Sequence, residues 1–526
     1  MSLGFKSNNK LEKSSKNIRL IPIFLGYLGF LFSFFFFDPS FGKEVYPGGD
    51  VGYDAGWVIE MSESKVPVTF GGSSVIGLGH PGPIYLWLAA IGYSVYGYLG
   101  WYVIWVIACS LLWLIAGIML SKKFGNFLPL FGLFLGYVLA DRFNGFDGIA
   151  LDWTEDPTLS QSFLLAAIAV TIYSNKRWSG PLAVAFSVLS VTVWANVFFV
   201  QIPLLVYGLY RCFKNRDLSK GKPFLTLTGI LLLVFGTFTV RWMQYGVKFP
   251  IDYVNAMIKF RTNETGGSPG EVMNYFISGL WWNLPERLAW WIWVTVISLS
   301  LVISLLKKST PFIIVTFSAL IASFTAIVVP TRSETHIVSI AGLIPVVALA
   351  LLFGFIGKGL IKISKNKVIL YIIYSMIFTL SLLIFKSDPT NVVRYTDSMQ
   401  SISSTKEVVT KLIISGELER FKEEPIRVII DPSTEYKPYY EVGLKNSINL
   451  ELYRRGYQSC RDYGDDIPGK GGAVSKKMKC NSYDSIPAYD LVIQPSGNIA
   501  NEIVSAVAVD RLLQQEIKVT LSKRIN

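Results

Sequence analysis

Long apolar runs alternate with short polar loops along most of this chain. Runs of roughly 17–25 mostly apolar residues are long enough to cross a bilayer as helices. The pattern predicts about eleven such spans. Their expected bounds are 20–37, 101–120, 127–140, 158–174, 180–193, 196–210, 224–240, 290–306, 311–329, 337–356 and 368–385.

The charges of the connecting loops predict how these spans are oriented. Every second loop is net basic, including Lys122-Lys123, Lys176-Arg177 and the stretch 358–367. The loops between them are acidic, above all 38–63 and 141–156. Because basic loops stay in the cytoplasm, this alternation predicts a cytoplasmic N-terminus, and an odd number of spans then puts the C-terminal tail outside.

Composition supports a multi-pass membrane protein. Hydrophobic residues make up 51% of the 526 residues and charged residues only 16%, which is less charge than a soluble protein of this length carries. The net charge of +12 could indicate a nucleic-acid partner. Since the basic residues are concentrated in the short loops that encode topology, we expect no nucleic acid to bind.

The composition changes after Phe385 to that of a soluble domain. Strands that alternate with helices predict an α/β layer, so we expect a membrane domain over 1–386 and an extracytoplasmic α/β domain over 387–526. Cys460 and Cys480 bracket a Gly- and Lys-rich loop there, and they either form a disulfide or remain two unpaired thiols. The expected elements are a helix at 402–422, a strand at Arg427–Ile430, a helix at 447–455 ending at Gly456, and a strand at Asp490–Ile493.

Two long outside loops, 38–100 and 241–289, are rich in aromatic residues. In the first, the segment Pro81–Leu99 is apolar but interrupted by glycines, and it abuts a span that is already long enough. We expect it to be a helix lying on the outer leaflet, separate from that span.

Two carboxylates, Asp50 and Asp54, follow the first span within the glycine-rich stretch Gly48–Asp54. If this stretch is helical, the four-residue spacing places both carboxylates on one face. A carboxylate partly removed from water at a membrane surface is a reasonable general base for an alcohol. The alternative is that an aspartate here only caps the start of a helix.

The only two histidines, His80 and His336, are both predicted at the outer membrane face. His336 ends a short loop in which Arg332 stands four residues earlier. A guanidinium and an imidazole at headgroup depth could bind a phosphate. The alternative is a surface pair of Arg332 with Glu334 and a histidine facing solvent.

The acidic outside loop around 141–156 supplies Arg142, Asp152 and Trp153 as further candidates for substrate binding. A tryptophan beside carboxylates can bind a sugar ring by stacking and hydrogen bonding. A tryptophan at the membrane interface beside a helix cap has the same sequence pattern. Together with the first-loop pair, Asp152 and Asp156 could hold a divalent cation, although no spacing signature supports a metal site.

The motifs of the first outside loop resemble those of a known family. Gly49-Asp50 is followed by Gly79-His80-Pro81-Gly82-Pro83-Ile84-Tyr85 and an aromatic helix. This arrangement resembles the C-type (GT-C) glycosyltransferase superfamily, particularly bacterial members of the inner or plasma membrane. These polytopic enzymes transfer sugars from polyprenyl-phosphate donors outside the cytoplasm. The resemblance implies that Asp50 is the catalytic carboxylate, but the additional acid Asp54 leaves the choice of base open between the two.

The predicted function is therefore a membrane glycosyltransferase of cell-envelope polysaccharide biosynthesis, with a glycan, lipid or protein as acceptor. Asp50 or Asp54 would deprotonate the acceptor hydroxyl, and Arg332, with or without His336 or Arg142, would stabilise the departing phosphate. A transporter or flippase of lipid-linked glycans is an alternative, but it would need charged or broken helices at mid-membrane. A non-catalytic envelope assembly factor is another, and it would not require the first-loop acids.

Overall fold

The structure is a computed structural model, and it describes the chain in separate stretches. These are residues 45–47, 49–68, 82–133, 156–173, 178–194, 197–214, 226–233, 243, 310–328, 335–363, 376, 399–431, 445–461, 489–493, 501–510 and 515–523.

Apolar helices dominate the first part of the chain. They pack into one hydrophobic core with buried residues from all seven of the longer helices. The expected spans from 158 to 210 and at 311–329 agree with the observed helices to within about one turn, whereas 20–37 and 290–306 lie outside the described residues. The observed helices are α1 (Gly49–Ser64), α2 (Ile84–Phe124), α3 (Asp156–Tyr173), α4 (Ser179–Val193), α5 (Phe198–Lys214), α6 (Thr310–Val328) and α7 (Thr335–Ile363).

Helix α2 is two helices joined at a sharp break. Tyr96 and Gly97 have non-helical backbone angles. Gly97 lies at φ 60° and ψ −145°, a conformation that residues other than glycine rarely adopt. The two arms then pack closely, because a methyl group on Gly92 would lie 2.6 Å from the Cα of Trp101. The arm 84–95 is thus a helix separate from the following span, as the sequence predicted. The arm 98–124 is apolar and long enough to cross a bilayer.

Small polar side chains join neighbouring membrane helices. The Ser160 hydroxyl on α3 donates to the Ser190 carbonyl on α4 over 2.8 Å, and the Ser190 hydroxyl donates back to the Ser160 carbonyl over 2.8 Å. The Trp113 indole on α2 donates to the Ser162 hydroxyl over 3.2 Å. Small residues with satisfied hydroxyls allow helices to approach closely where lipid offers no alternative partner.

The C-terminal part contains a five-stranded sheet with its own hydrophobic core. Its order is β4-β3-β5-β7-β6; β3 pairs in parallel with β4 and β5, and β7 pairs antiparallel with β5 and β6. The two strands expected at 427–430 and 490–493 are confirmed as β3 and β5. The strands are β3 (Ile426–Ile430), β4 (Ser459–Arg461), β5 (Tyr489–Ile493), β6 (Glu502–Asp510) and β7 (Gln515–Lys523).

Two helices flank this sheet, α8 (Ile402–Ile414) and α9 (Lys445–Arg454). The prediction of one helix over 402–422 was wrong in its length. Gly416, at φ 76°, ends that helix in a left-handed turn, and a short 3-10 helix follows at Leu418–Phe421. Helix α9 matches the expected helix at 447–455, and Gly456 follows it at φ 83°.

A small two-stranded sheet connects the start of the chain to this C-terminal part. Strand β1 (Val45–Pro47) pairs antiparallel with β2 (Met399–Ser401), with Val45 opposite Ser401 and Tyr46 opposite Gln400. Strand β1 stands just before α1, and β2 leads directly into α8. Neither strand was predicted from the sequence.

Candidate functional site: the first-loop helix and its neighbours

The two candidate catalytic carboxylates lie on helix α1. The helix begins at Gly49, so the glycine-rich stretch is helical and Asp50 and Asp54 are one turn apart. Asp54 is only 4% exposed, and Val58 and Met61, which follow it on the same stripe of the helix, are also buried. Helical periodicity places Asp50 on the same stripe, one turn nearer the N-terminus. A carboxylate on a packed stripe is costly unless it is paired or functional.

The helix boundary also bears on the alternative that these aspartates are caps. Asp54 lies in the second turn of α1, too far along to serve as the N-cap of a helix that starts at Gly49. Asp50 lies in the first turn, where the helix dipole favours a negative charge. The capping interpretation therefore does not apply to Asp54.

The second motif ends on two well-packed residues, Gly82 and Tyr85. The Gly82 amide donates to the Thr192 carbonyl at the end of α4 over 2.8 Å. A methyl group on Gly82 would lie 2.6 Å from the Thr192 Cβ, so only glycine fits this approach. Tyr85 is fully buried between Trp101 and Trp105, with ring centroids 6.4 and 5.2 Å away. These contacts anchor the end of the motif to two membrane helices.

Helix α1, which contains the first motif, lies next to the start of helix α2, which follows the second motif. The Trp87 indole donates to the Val68 carbonyl over 2.9 Å, which ties the chain just after α1 to the start of α2. Buried residues of α1, including Ala55 and Ile59, share one core with Tyr85. Helix α1 thus packs on the broken helix α2 that follows the His-Pro-Gly-Pro segment.

The C-terminal part also reaches this site, which the sequence analysis did not foresee. Arg454 at the end of α9 lies over the ring of Tyr98, with its Cζ 5.7 Å from the ring centroid. It also interacts with the Tyr93 hydroxyl, by charge and by hydrogen bonding, and Glu63 of α1 lies within electrostatic range of that hydroxyl. The sequence signal was the presence of apolar residues on opposite faces of α9, which indicates a helix buried on two sides.

The remaining candidates are not tested by this structure. Of the candidate substrate-binding side chains, His80, Arg142, Asp152, Trp153 and Arg332 lie outside the described residues, and each stays a prediction. His336 lies in the first turn of α7, which begins two residues earlier than expected, so it belongs to a helix rather than to the preceding loop. Its side chain is not among those described.

A metal site was not predicted from the sequence, and whether the aspartates of the outside loops hold a divalent cation is not tested by the structure. Among the side chains that the structure describes, no group of three or more His, Cys, Asp or Glu residues is arranged to hold an ion. Of the four aspartates considered from the sequence, Asp54 alone has a described side chain.

The fold of this chain is similar to that of solved structures. No protein-family model and no curated protein sequence matches the chain. Two solved structures of ArnT from Cupriavidus metallidurans do resemble it. One, bound to undecaprenyl phosphate, has a TM-score of 0.54 at 12% identity, and the other, in the apo state, has a TM-score of 0.55 at 11% identity. Each alignment covers 95% of this chain and 97% of ArnT, so the likeness includes both the membrane helices and the C-terminal part.

Proposed function

We propose that this chain, which has the polytopic membrane fold of the GT-C superfamily, is a glycosyltransferase that uses a polyprenyl-phosphate sugar as its donor. The observation that carries the proposal is the buried carboxylate of Asp54, one turn from Asp50, on a helix packed against α2, which follows the His-Pro-Gly-Pro segment. The undecaprenyl phosphate bound to ArnT, a protein of the same fold, supports a lipid-linked donor.

The proposed reaction is an inverting transfer at the extracytoplasmic membrane face. Asp50 or Asp54 accepts the proton of the acceptor hydroxyl while that oxygen attacks the anomeric carbon of the donor sugar. The bond between that carbon and the phosphate oxygen breaks, and polyprenyl phosphate leaves with the bonding electrons. Arg332, with His336 or Arg142, is proposed to stabilise the phosphate charge that develops.

The first-loop geometry supports Asp50 as the base and Asp54 as its partner. Asp54 is too enclosed to meet an acceptor unless α1 moves. Asp50 belongs to the first turn of the helix and follows Gly48 and Gly49 in the sequence, two residues without side chains that could obstruct a substrate. Asp54 then orients the first turn of α1. This assignment agrees with the motif resemblance at Gly49-Asp50.

The proposed organisation is a membrane domain over 1–386 with about eleven spans and an extracytoplasmic α/β domain over 387–526. The test of the donor class uses purified full-length protein in lipid nanodiscs, offered labelled sugars on polyprenyl phosphate or on nucleotides. Transfer to envelope extracts from the lipid-linked donor alone supports the proposal. Transfer from the nucleotide sugar, or movement of intact lipid-linked glycan across a vesicle membrane without transfer, would contradict it.

A further inference from the structure

Helix α9 is buried on two opposite sides. Ile448 and Leu452, one turn apart, belong to the hydrophobic core of the C-terminal sheet. Leu450 is fully buried in the core of the membrane helices, and Tyr453 packs against the same core. Helical periodicity puts these two pairs on opposite faces. Helix α9 is therefore a wedge between the C-terminal sheet and the membrane part.

The wedge contacts the helix that carries the candidate catalytic acids. Helix α9 packs against α1, and its last residue, Arg454, lies against Tyr98 and Tyr93 of the two α2 arms. The two tyrosine rings contact each other edge to face across the break, with centroids 5.1 Å apart. The Arg454 guanidinium also forms an ion pair with Glu451 on its own helix, with 3.5 Å between Arg454 Nη1 and Glu451 Oε2.

The chain just before α1 is held by the same domain. Strand β1 ends two residues before α1 begins, and its partner β2 leads without interruption into α8 of the C-terminal layer. The intervening and following residues include Gly48, Gly49 and Gly52, which by themselves would leave this segment free to adopt many conformations. Pairing with β2 removes much of that freedom on the N-terminal side of Asp50.

From these contacts we infer that the C-terminal domain is a positioning part of the active site. Strand β2 holds the chain just before α1, helix α9 packs on α1, and Arg454 holds helix α2 at its break, while α2 in turn packs against α1. The inference rests on the proposed function and deepens it. Arg454 touches no reacting atom and acts through α2, against which the helix with the carboxylates packs. A domain that merely recognised the acceptor would not need to pair with the strand before this helix and also pack against the helix itself.

The pairing of β1 with β2 is tested first, without any activity measurement. Cysteines at positions opposite each other in the observed register, Tyr46→Cys with Gln400→Cys, should form a disulfide in the full-length protein under mild oxidation, because directly opposed side chains share one face. The matched control is Tyr46→Cys with Ser401→Cys, which a one-residue shift puts on opposite faces. Peptide mass mapping identifies the linked pair. Equal cross-linking of both pairs, or none in the first, would overturn the inference.

The role of Arg454 in turnover is tested with Arg454→Ala and Arg454→Lys. The control is Arg420→Ala, which removes a guanidinium that is 71% exposed in the same domain. If the C-terminal domain positions the carboxylates, Arg454→Ala should lower kcat by about 10²-fold, as expected when a catalytic group is displaced by about 1 Å. The KM for the donor should not change. Arg454→Lys should recover part of the loss, and Arg420→Ala should match the wild type. Wild-type kinetics for Arg454→Ala would refute the positioning role.

The 46–400 disulfide also separates positioning from closure of a mobile domain. If the domain holds α1 continuously, the cross-linked enzyme keeps its turnover, and cross-linking partly restores Arg454→Ala. If turnover is lost on cross-linking and returns on reduction, the domain must move and the inference fails. A wild-type protein with no transfer activity would instead contradict the proposed function, while the cross-linking result would still report on the geometry.

Discussion

The close approach of Gly82 to Thr192 gives a prediction whose size can be worked out from the structure. In Gly82→Ala, the new Cβ would lie 2.6 Å from the Thr192 Cβ. Carbon atoms in contact prefer about 3.5–4.0 Å, so the chain must shift by about 1 Å. Overpacking of this kind costs about 1–3 kcal/mol, and loss of the 2.8 Å hydrogen bond to the Thr192 carbonyl adds about 0.5–1.5 kcal/mol.

The activity should fall more steeply than the stability. Gly82 is the third residue of the His-Pro-Gly-Pro segment, and a shift of about 1 Å in a positioning element can lower turnover by about 10²-fold. The assay is sugar transfer per folded molecule in detergent or nanodiscs, beside thermal unfolding of the same samples. Gly229→Ala is the control, because a methyl group there meets no atom within 4 Å.

A compensating change tests the cause. Thr192→Gly removes the Cβ that the new methyl group would meet, so the Gly82→Ala/Thr192→Gly protein should recover part of the stability and turnover lost in the single variant. A double-mutant cycle then gives a coupling free energy different from zero. Additive losses, or a Gly82→Ala protein as stable and active as the wild type, would refute the packing argument.

Three further predictions concern topology, the phosphate and the C-terminal sheet. A reporter enzyme that works only outside the cytoplasm should be active when it is fused after Lys386. Activity of a reporter that works only in the cytoplasm, fused at the same position, would overturn the predicted orientation. Arg332→Ala should weaken donor use more than Arg332→Lys in steady-state kinetics, because lysine keeps the positive charge but lacks the planar guanidinium that can donate two parallel hydrogen bonds to a phosphate. Equal activity of both variants and the wild type would contradict the proposed phosphate-binding role of Arg332. Arg427 donates two hydrogen bonds, of 2.7 and 2.8 Å, to Asp490. Arg427→Ala should therefore destabilise the C-terminal layer by up to about 3 kcal/mol in denaturant titrations of the full chain, unlike Arg420→Ala.

Where the structure describes an expected span, its helix follows the apolar run that predicted it, because a continuous apolar run is a local signal. Helix α7 is the exception in length, since it continues to Ile363, beyond the expected end at 356. Strands β3 and β5 were equally readable, since Val428, Ile430, Leu491 and Ile493 form short buried runs between polar stretches. Local signals decide such elements, and tertiary contacts only confirm them.

The missed strands carried weaker local signals. Strand β6 contains Ser505 and Ala506 among its valines. In β7, polar residues alternate with Ile517, Val519 and Leu521, and two of them, Thr520 and Ser522, are buried as well. The alternation in β7 is typical of a half-buried strand and could have been recognised.

The candidate site was only partly readable from the sequence. The spacing of Asp50 and Asp54 gave their common helical face, since helix geometry is local. The pairing of β1 with β2 and the contact of Arg454 with Tyr98 join residues hundreds of positions apart, and three-residue strands leave no periodic pattern to detect. Such contacts depend on how two cores dock, which no local pattern encodes.

The central claim, that a first-loop carboxylate is the base of a sugar transfer, is tested most directly by the turnover of Asp50→Asn. Asparagine keeps the shape and hydrogen-bonding capacity of aspartate but cannot accept the proton, so transfer from a labelled polyprenyl-phosphate sugar should fall by roughly 10²–10⁴-fold. Donor binding and folding should persist, and Asp54→Asn should cost less. If Asp50→Asn, Asp54→Asn and the double variant all transfer sugar at the wild-type rate, neither carboxylate is the base and the proposed mechanism is wrong.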